Sequence, residues 1–222
     1  MTDKKKRVGI LISGRGSNMM SLIAAARDPA YPAAIVCVLS NRPDAEGLRK
    51  AESAGIKARA IDHARFKNRA EFEAELDEAL HEAGVELVAC AGFMRLMTPG
   101  FIERWRDRML NIHPSLLPAF PGLNTHERAL AAGVRVTGCT VHVVRAEMDD
   151  GPIVAQAAVP VVDGDTAESL AARVLEAEHK LYPHALALFV SGRVQIAGEK
   201  VRGPQVSINQ EKALFSPPLK GP

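Results

Sequence analysis

The chain has 222 residues, 47% hydrophobic and 24% charged, with a formal net charge of +2 and three cysteines. That length can bury a sizeable core in one α/β domain, and so mild an excess of positive charge gives no basis for a nucleic-acid partner. The basic run Lys4-Lys5-Lys6-Arg7 is followed by an apolar stretch too short for a signal h-region or a membrane span, so the reading is cytoplasmic, with no membrane partner. Cys37, Cys90 and Cys139 sit singly in apolar runs without C-x-x-C spacing. They read as buried reduced thiols, and no zinc site is expected.

Apolar runs alternate with amphipathic stretches from the N-terminus, the pattern of βαβ units feeding a mostly parallel sheet. Residues 7–13 predict a strand and 17–27 a helix; 33–40 a strand, 44–54 a helix and 57–61 a short strand. Residues 68–83 predict a longer helix with Phe72, Leu76 and Leu80 on one face. Residues 85–91 form a nearly nonpolar run, as in a strand covered on both faces. A helix over 98–105 leads to a strand over 108–113, and a proline-rich loop to a helix over 125–132. Two β-rich runs, 136–144 and 153–161, are joined through Glu147-Met148-Asp149-Asp150-Gly151-Pro152, which predicts an antiparallel hairpin added to the sheet. Residues 166–190 predict a long amphipathic helix and 194–196 an edge strand. The expected fold is therefore α/β and single-domain: a mostly parallel, twisted, Rossmann-like sheet with a C-terminal antiparallel hairpin and a long C-terminal helix. Its body would span 1–198, with a loosely packed Pro-rich tail over 199–222.

Four segments carry chemistry. Ser13-Gly14-Arg15-Gly16-Ser17-Asn18 lies between the first strand and helix, where a Gly-rich turn lets backbone N–H groups meet a phosphate. Met19 replaces the third glycine of G-x-G-x-x-G, so a phosphate monoester suits the loop better than a dinucleotide; a plain turn with Ser17 as helix N-cap is the alternative. In the strand ending Asn111-Ile112-His113, alternation puts Asn111 and His113 on one face. Pro114, Pro118 and Pro121 then stiffen the following loop, which should stand clear of the site. A carboxamide beside an imidazole can stabilise an oxyanion and move a proton, although the same pair can serve a turn. The stretch Ala89 to Met97 ends a strand where α/β sheets place binding loops, and it also reads as plain core. Asp149, read alone, is turn chemistry, and His142 reads as a hydrogen-bonded core histidine, with no partner nearby in sequence to make a site.

Asn111-Ile112-His113-Pro114-Ser115-Leu116-Leu117-Pro118, continued by Pro121-Gly122, resembles the signature of the folate-dependent formyltransferases. Gly92-Phe93-Met94-Arg95 is similar to a second family stretch, and Met148-Asp149-Asp150-Gly151-Pro152 to its Leu-Asp-x-Gly-Pro turn, with Asp150 where a glycine is usual. The Ser-Gly-x-Gly-Ser-Asn loop resembles the phosphate site of the family's glycinamide ribonucleotide branch. The resemblance implies Asn111, His113 and Asp149 as catalysts, Gly16, Ser17 and Asn18 around the ribonucleotide phosphate, and Glu178 at its ribose. It implies folate contacts at Arg69, Met94, Arg95, Leu96, Met97, Asn111, Arg145, Ala146, Glu147, Met148 and Asp149. Without it, Arg69 reads as a surface salt bridge and Glu178 as a solvated helix face. Asn124 and His126 stand where relatives often show two histidines, and no catalysis is assigned there. The implied activity moves a formyl group from 10-formyltetrahydrofolate to the amine of glycinamide ribonucleotide in purine synthesis. The implied partners are those two small molecules alone, without metal, on a monomer or homodimer. The alternatives are a formyltransferase for another amine, such as an amino sugar nucleotide, and a non-catalytic phosphate- or folate-binding module.

Overall fold

Residues 5–203 are described by a computed structural model. Five strands, β1 (Lys6–Ile12), β2 (Ala33–Ser40), β3 (Ala58–Ala60), β4 (Leu87–Cys90) and β5 (Met109–His113), run parallel. The antiparallel pair β6 (Val136–Val143) and β7 (Ile153–Pro160) extends them, giving the order β3-β2-β1-β4-β5-β6-β7. The chain builds outward from β1 to β3, then returns to β4 on the other side of β1. The crevice beyond the ends of β1 and β4 is thus a topological switch point, where open α/β sheets bind ligands.

Both faces of the sheet are covered, which is why the inner strands are apolar throughout. Val8, Ile10 and Ile12 of β1 pack towards α1 (Ser17–Ala26), α2 (Glu46–Ser53) and α6 (Ala167–Val190), meeting Met19, Leu48, Tyr182 and Leu186. On the opposite face Leu11, Val88 and Met109 meet Phe72, Leu76 and Leu80 of α3 (Arg69–Glu82) and Phe101 of α4 (Pro99–Arg104). A third cluster joins α5 (Thr125–Ala131) to β6, β7 and α6 through Ala129, Cys139, Val159, Leu170 and Val174. Thr166 starts α6 through a reciprocal cap with Ser169. Tyr182, fully buried on α6, donates its hydroxyl proton towards the carbonyls of Cys90 and Leu110 at 3.0 and 3.2 Å, fastening that helix across β4 and β5.

One expected element is placed differently. The strand foreseen over 194–196 is not an edge of the main sheet: β8 (Gln195–Ala197) pairs with β9 (Lys200–Arg202) in a separate two-stranded sheet, because the chain reverses at once through Gly198-Glu199. Of the tail expected over 199–222, residues 204–222 lie outside the described residues. The three cysteines are free and buried, and burial pushes their thiols up to about 11 at Cys37 and about 12 at Cys90 and Cys139. No helix among the described residues is long and apolar enough to cross a membrane.

Candidate active site

At the end of β1 the chain turns through Ser13 to Gly16 into α1. Gly16, not Ser17, is the cap: it sits at φ 70 and ψ 31, a left-handed conformation that glycine adopts without strain, and no side chain caps the helix. Ser17 is instead the first helical residue, with its hydroxyl free of a capping bond. The first N–H groups of α1 have no intrahelical acceptor and lie at the positive end of the helix, which suits an anion. A Cβ on Gly16 would come within 3.0 Å of both Gly47 Cα and Met19 Cε, and the Gly47 N–H donates to the Gly14 carbonyl at 3.0 Å. The start of α2 therefore packs backbone against backbone on the loop.

A cavity of ≈ 500 Å³ opens over this loop, with Ser13, Gly14, Gly16, Ser17, Asn18 and Arg95 among its walls. The Ser13 hydroxyl joins its rims, donating to Asn41 Oδ1 at 2.6 Å and accepting from the Met94 N–H at 2.8 Å. Asn18 is buried; its Nδ2 donates to Glu178 Oε2 at 2.7 Å, while its Oδ1 finds no partner among the described residues. Glu178 is only 5% exposed, so the solvated-face reading fails. Burial raises its carboxyl pKa above the ordinary value, more than the Asn18 bond lowers it.

The second centre forms at the end of β5. Alternation aims Asn111 and His113 to one side, as the sequence implied, and the loop between β6 and β7 brings Asp149 to them. Asp149 Oδ2 lies 3.4 Å from His113 Nδ1 and accepts the Gly122 N–H at 2.8 Å. His113, 5% exposed, donates from Nε2 to the Phe120 carbonyl at 3.0 Å. The proline loop thus does not stand clear of the site. It curls back, because the Thr140 hydroxyl accepts the Leu117 N–H and donates to the Ser115 carbonyl, while Gln156 Nε2 donates to the Leu117 carbonyl. In the Asp149 turn the left-handed residue is Asp149 itself, at φ 58, so the departure at Asp150 does not fall on the position of positive φ. Gly151 is sterically required: a Cβ there would sit 1.7 Å from the Val143 carbonyl oxygen.

His142 is the hydrogen-bonded core histidine that the sequence reading made it, but its place beside Asn111 was not foreseen. It is the antiparallel partner of Asn111, 2% exposed, with Nε2 3.1 Å from Asn111 Nδ2 and 3.8 Å from Asp149 Oδ1. Alternation along β6 gives its face but not its register, and a shift between Val141 and His142 lies at the residue itself.

Most of the positions expected around a folate lie on the loops after β4 and between β6 and β7. Met94 and Leu96 after β4, and Met148 before β7, are more than half exposed, as is Leu123, a residue the sequence reading did not single out. Exposed apolar side chains on loops beside polar groups suit an apolar ring. Met97 packs against the core under α3 and α4. The Arg95 guanidinium lies 5.3 Å from the centre of the Phe72 ring. Arg145 is held by Asp107 at 2.8 Å and Glu199 at 3.0 Å, which leaves its backbone, with exposed Ala146 and Glu147, as the available surface. Arg69 is exposed at the start of α3 and forms no ion pair among the described residues, against the salt-bridge reading. Asn124 caps α5 at φ 55, and burial lowers the pKa of His126.

Sheet order, a glycine loop at the switch point and an adjoining amide, imidazole and carboxylate define an α/β protein with acid–base groups gathered at the strand ends of its sheet. The profile of the formyl transferase family matches residues 6–186, and the chain belongs to that family. It is 53% identical over 199 residues to the trifunctional purine biosynthetic protein adenosine-3 of Bos taurus, a match covering 90% of this chain but 20% of that protein. The chain thus spans about a fifth of such relatives. It is 41% identical to the phosphoribosylglycinamide formyltransferase of Haemophilus influenzae, covering 86% of this chain and 90% of that one. The crystal structure of glycinamide ribonucleotide transformylase 1 from Symbiobacterium toebii matches with a TM-score of 0.88 at 47% identity, covering 90% of this chain and 95% of that one.

Proposed function

We propose that this protein transfers the formyl group of 10-formyltetrahydrofolate to the amine of glycinamide ribonucleotide, a step of de novo purine synthesis that releases tetrahydrofolate. The observation that carries the reading is the placement of Asn111, His113 and Asp149 two strands away from the Gly16 loop, at the ends of β5 and β1 with β4 between them. Two strand spacings are roughly 10 Å, about the reach of a ribose with its glycinamide arm. A phosphate held by the N–H groups of Ser17 and Asn18, with Glu178 at the ribose, leaves the amine beside the polar cluster. The names of the relatives support formyl transfer to the glycinamide ribonucleotide.

The substrate amine is the nucleophile, so the chain needs none of its own. As the amine bonds to the formyl carbon, negative charge grows on the formyl oxygen; the Asn111 carboxamide supplies an N–H donor for it, and the His113 ring, whose Nε2–H is given to the Phe120 carbonyl in this structure, joins by exchanging that bond for one to the oxyanion. Asp149, tied to the Gly122 N–H, stays beside the His113 ring and takes up, directly or through water, the proton the amine loses. The bond from the formyl carbon to N10 then breaks, and N10 receives a proton. Met94, Leu96 and Met148 offer apolar surface to the pterin, and the backbone of residues 145–149 offers it polar groups.

The test is tetrahydrofolate release by the purified protein with each substrate omitted in turn. Release that requires glycinamide ribonucleotide supports the proposal. Release without any amine would make the protein a hydrolase, release with an amino sugar nucleotide instead would change the acceptor, and binding without release would leave a binding module.

A further inference from the structure

The formyl-transfer reading uses Asn111 as an oxyanion donor and leaves His142 without a task, although His142 is the side chain placed directly against that carboxamide. A carboxamide has two ends of similar shape and opposite character. One is an N–H donor that attracts an oxyanion, and the other a carbonyl oxygen that repels it. Something must decide which end faces the formyl oxygen.

The contacts of His142 decide it. Nδ1 lies 3.1 Å from the carbonyl of Val143, which can only accept, so Nδ1 carries the proton. In the neutral ring Nε2 is then a lone-pair acceptor, and at 3.1 Å it meets Asn111 Nδ2, which can only donate. The two assignments agree, and the opposite flip of Asn111 would set its carbonyl oxygen against the Nε2 lone pair. Cross-strand pairing places the two Cβ atoms on one face, roughly 5 Å apart, and the register shift between Val141 and His142 tilts the ring at this point of β6. We infer that His142 is a positioning residue: it holds one N–H of Asn111 and thereby commits the other to the formyl oxygen. The inference rests on the proposed formyl transfer.

Such a lock works only with a neutral ring, since a proton on Nε2 would demand an acceptor and turn Asn111 around. Burial lowers the pKa of His142; the Val143 carbonyl and Asp149 raise it, His113 lowers it, and the net shift is downward. The titratable groups that act on it are Asp149 and His113; its cross-strand partners Asn111 on β5 and Ile153 on β7 carry no titrating proton.

Two measurements test this. The tautomer is read in the wild-type protein without substrates, by long-range proton–nitrogen correlation of the imidazoles. A protonated Nδ1 and a bare Nε2 at neutral pH are expected, and a protonated Nε2 would overturn the inference whatever the enzyme's activity. In kinetics, His142→Phe keeps a buried ring without an acceptor. Turnover should fall about 10- to 100-fold, part of the loss seen when an oxyanion donor is removed, with both KM values within a few-fold. His142→Gln restores a non-titrating acceptor, and should recover most of the turnover and move the acid limb of the kcat profile to lower pH. Wild-type kcat in His142→Phe, or a loss carried by KM, would reduce His142 to a packing residue while leaving the proposed function intact. A wild-type protein that releases no tetrahydrofolate would end the proposed function, and the tautomer would still be measurable.

Discussion

At the residue scale, the carboxylate of Asp149 has a conformational companion in its own backbone. Its φ of 58 is tolerated by few side chains, and asparagine and aspartate are among them. Asp149→Asn should therefore keep the turn, with its amide oxygen still accepting from Gly122, and the melting temperature should hardly move. Turnover should nevertheless fall by about 100- to 10,000-fold, the usual range for lost acid–base help, while both substrates still bind. An asparagine variant with near-normal kcat would return Asp149 to turn chemistry. Asp150→Gly is the matching control and should stay within a few-fold of wild type, because Asp150 is exposed and its backbone is not left-handed. The common face of Asn111 and His113 was legible from strand alternation alone. Their link to His142 was not, since it depends on the register of β5 against β6, which no local pattern encodes.

Elements decide which backbone groups the site can offer. The alternation of apolar runs predicts the seven strands of the main sheet and the six α-helices among the described residues in their observed order, because period and burial are written locally. Two features of loops were not legible. The cap of α1 fell on Gly16 rather than Ser17, since the left-handed turn needs a glycine where α2 crosses at backbone distance. The proline loop curled back because of Thr140 and Gln156, partners that sequence separation hides. The glycine loop yields a prediction at this scale: Gly16→Val places a β-branched residue at φ 70 and a Cβ 3.0 Å from Gly47. The KM for the ribonucleotide should rise by tenfold or more and that for the folate by far less, with some loss of stability, since left-handed geometry costs an L-residue roughly 1–2 kcal/mol. Equal rises for both substrates would separate the loop from phosphate binding.

On the scale of the whole molecule, the proposed ribonucleotide site draws on both ends of the described chain. Asn18 and Glu178 are 160 residues apart in sequence, so their bond exists only when α6 is docked on the first βα unit. Nothing in a single helical stretch announced that Glu178 would be buried; the amphipathic pattern of α6 shows which residues can face inwards, not what waits for them. Burying a carboxyl has a measurable consequence. The folded-state pKa of Glu178 is raised above its ordinary 4.5, so above that value the folded protein binds more protons than the unfolded chain. Stability from this group is then fully present below about pH 4.5 and is lost as pH rises through the folded pKa. Glu178→Gln keeps an oxygen to accept from Asn18 and removes the charge. Thermal melts across pH should show variant and wild type nearly equal below the ordinary value, the variant gaining as pH rises through the window, and the advantage levelling off above it. The same variant should bind the ribonucleotide more weakly at neutral pH, because an amide is a poorer acceptor for ribose hydroxyls than a carboxylate. A gain that appeared at low pH and vanished on raising it would mean that the folded protein stabilises the Glu178 carboxylate, and the role given to its burial would be reversed.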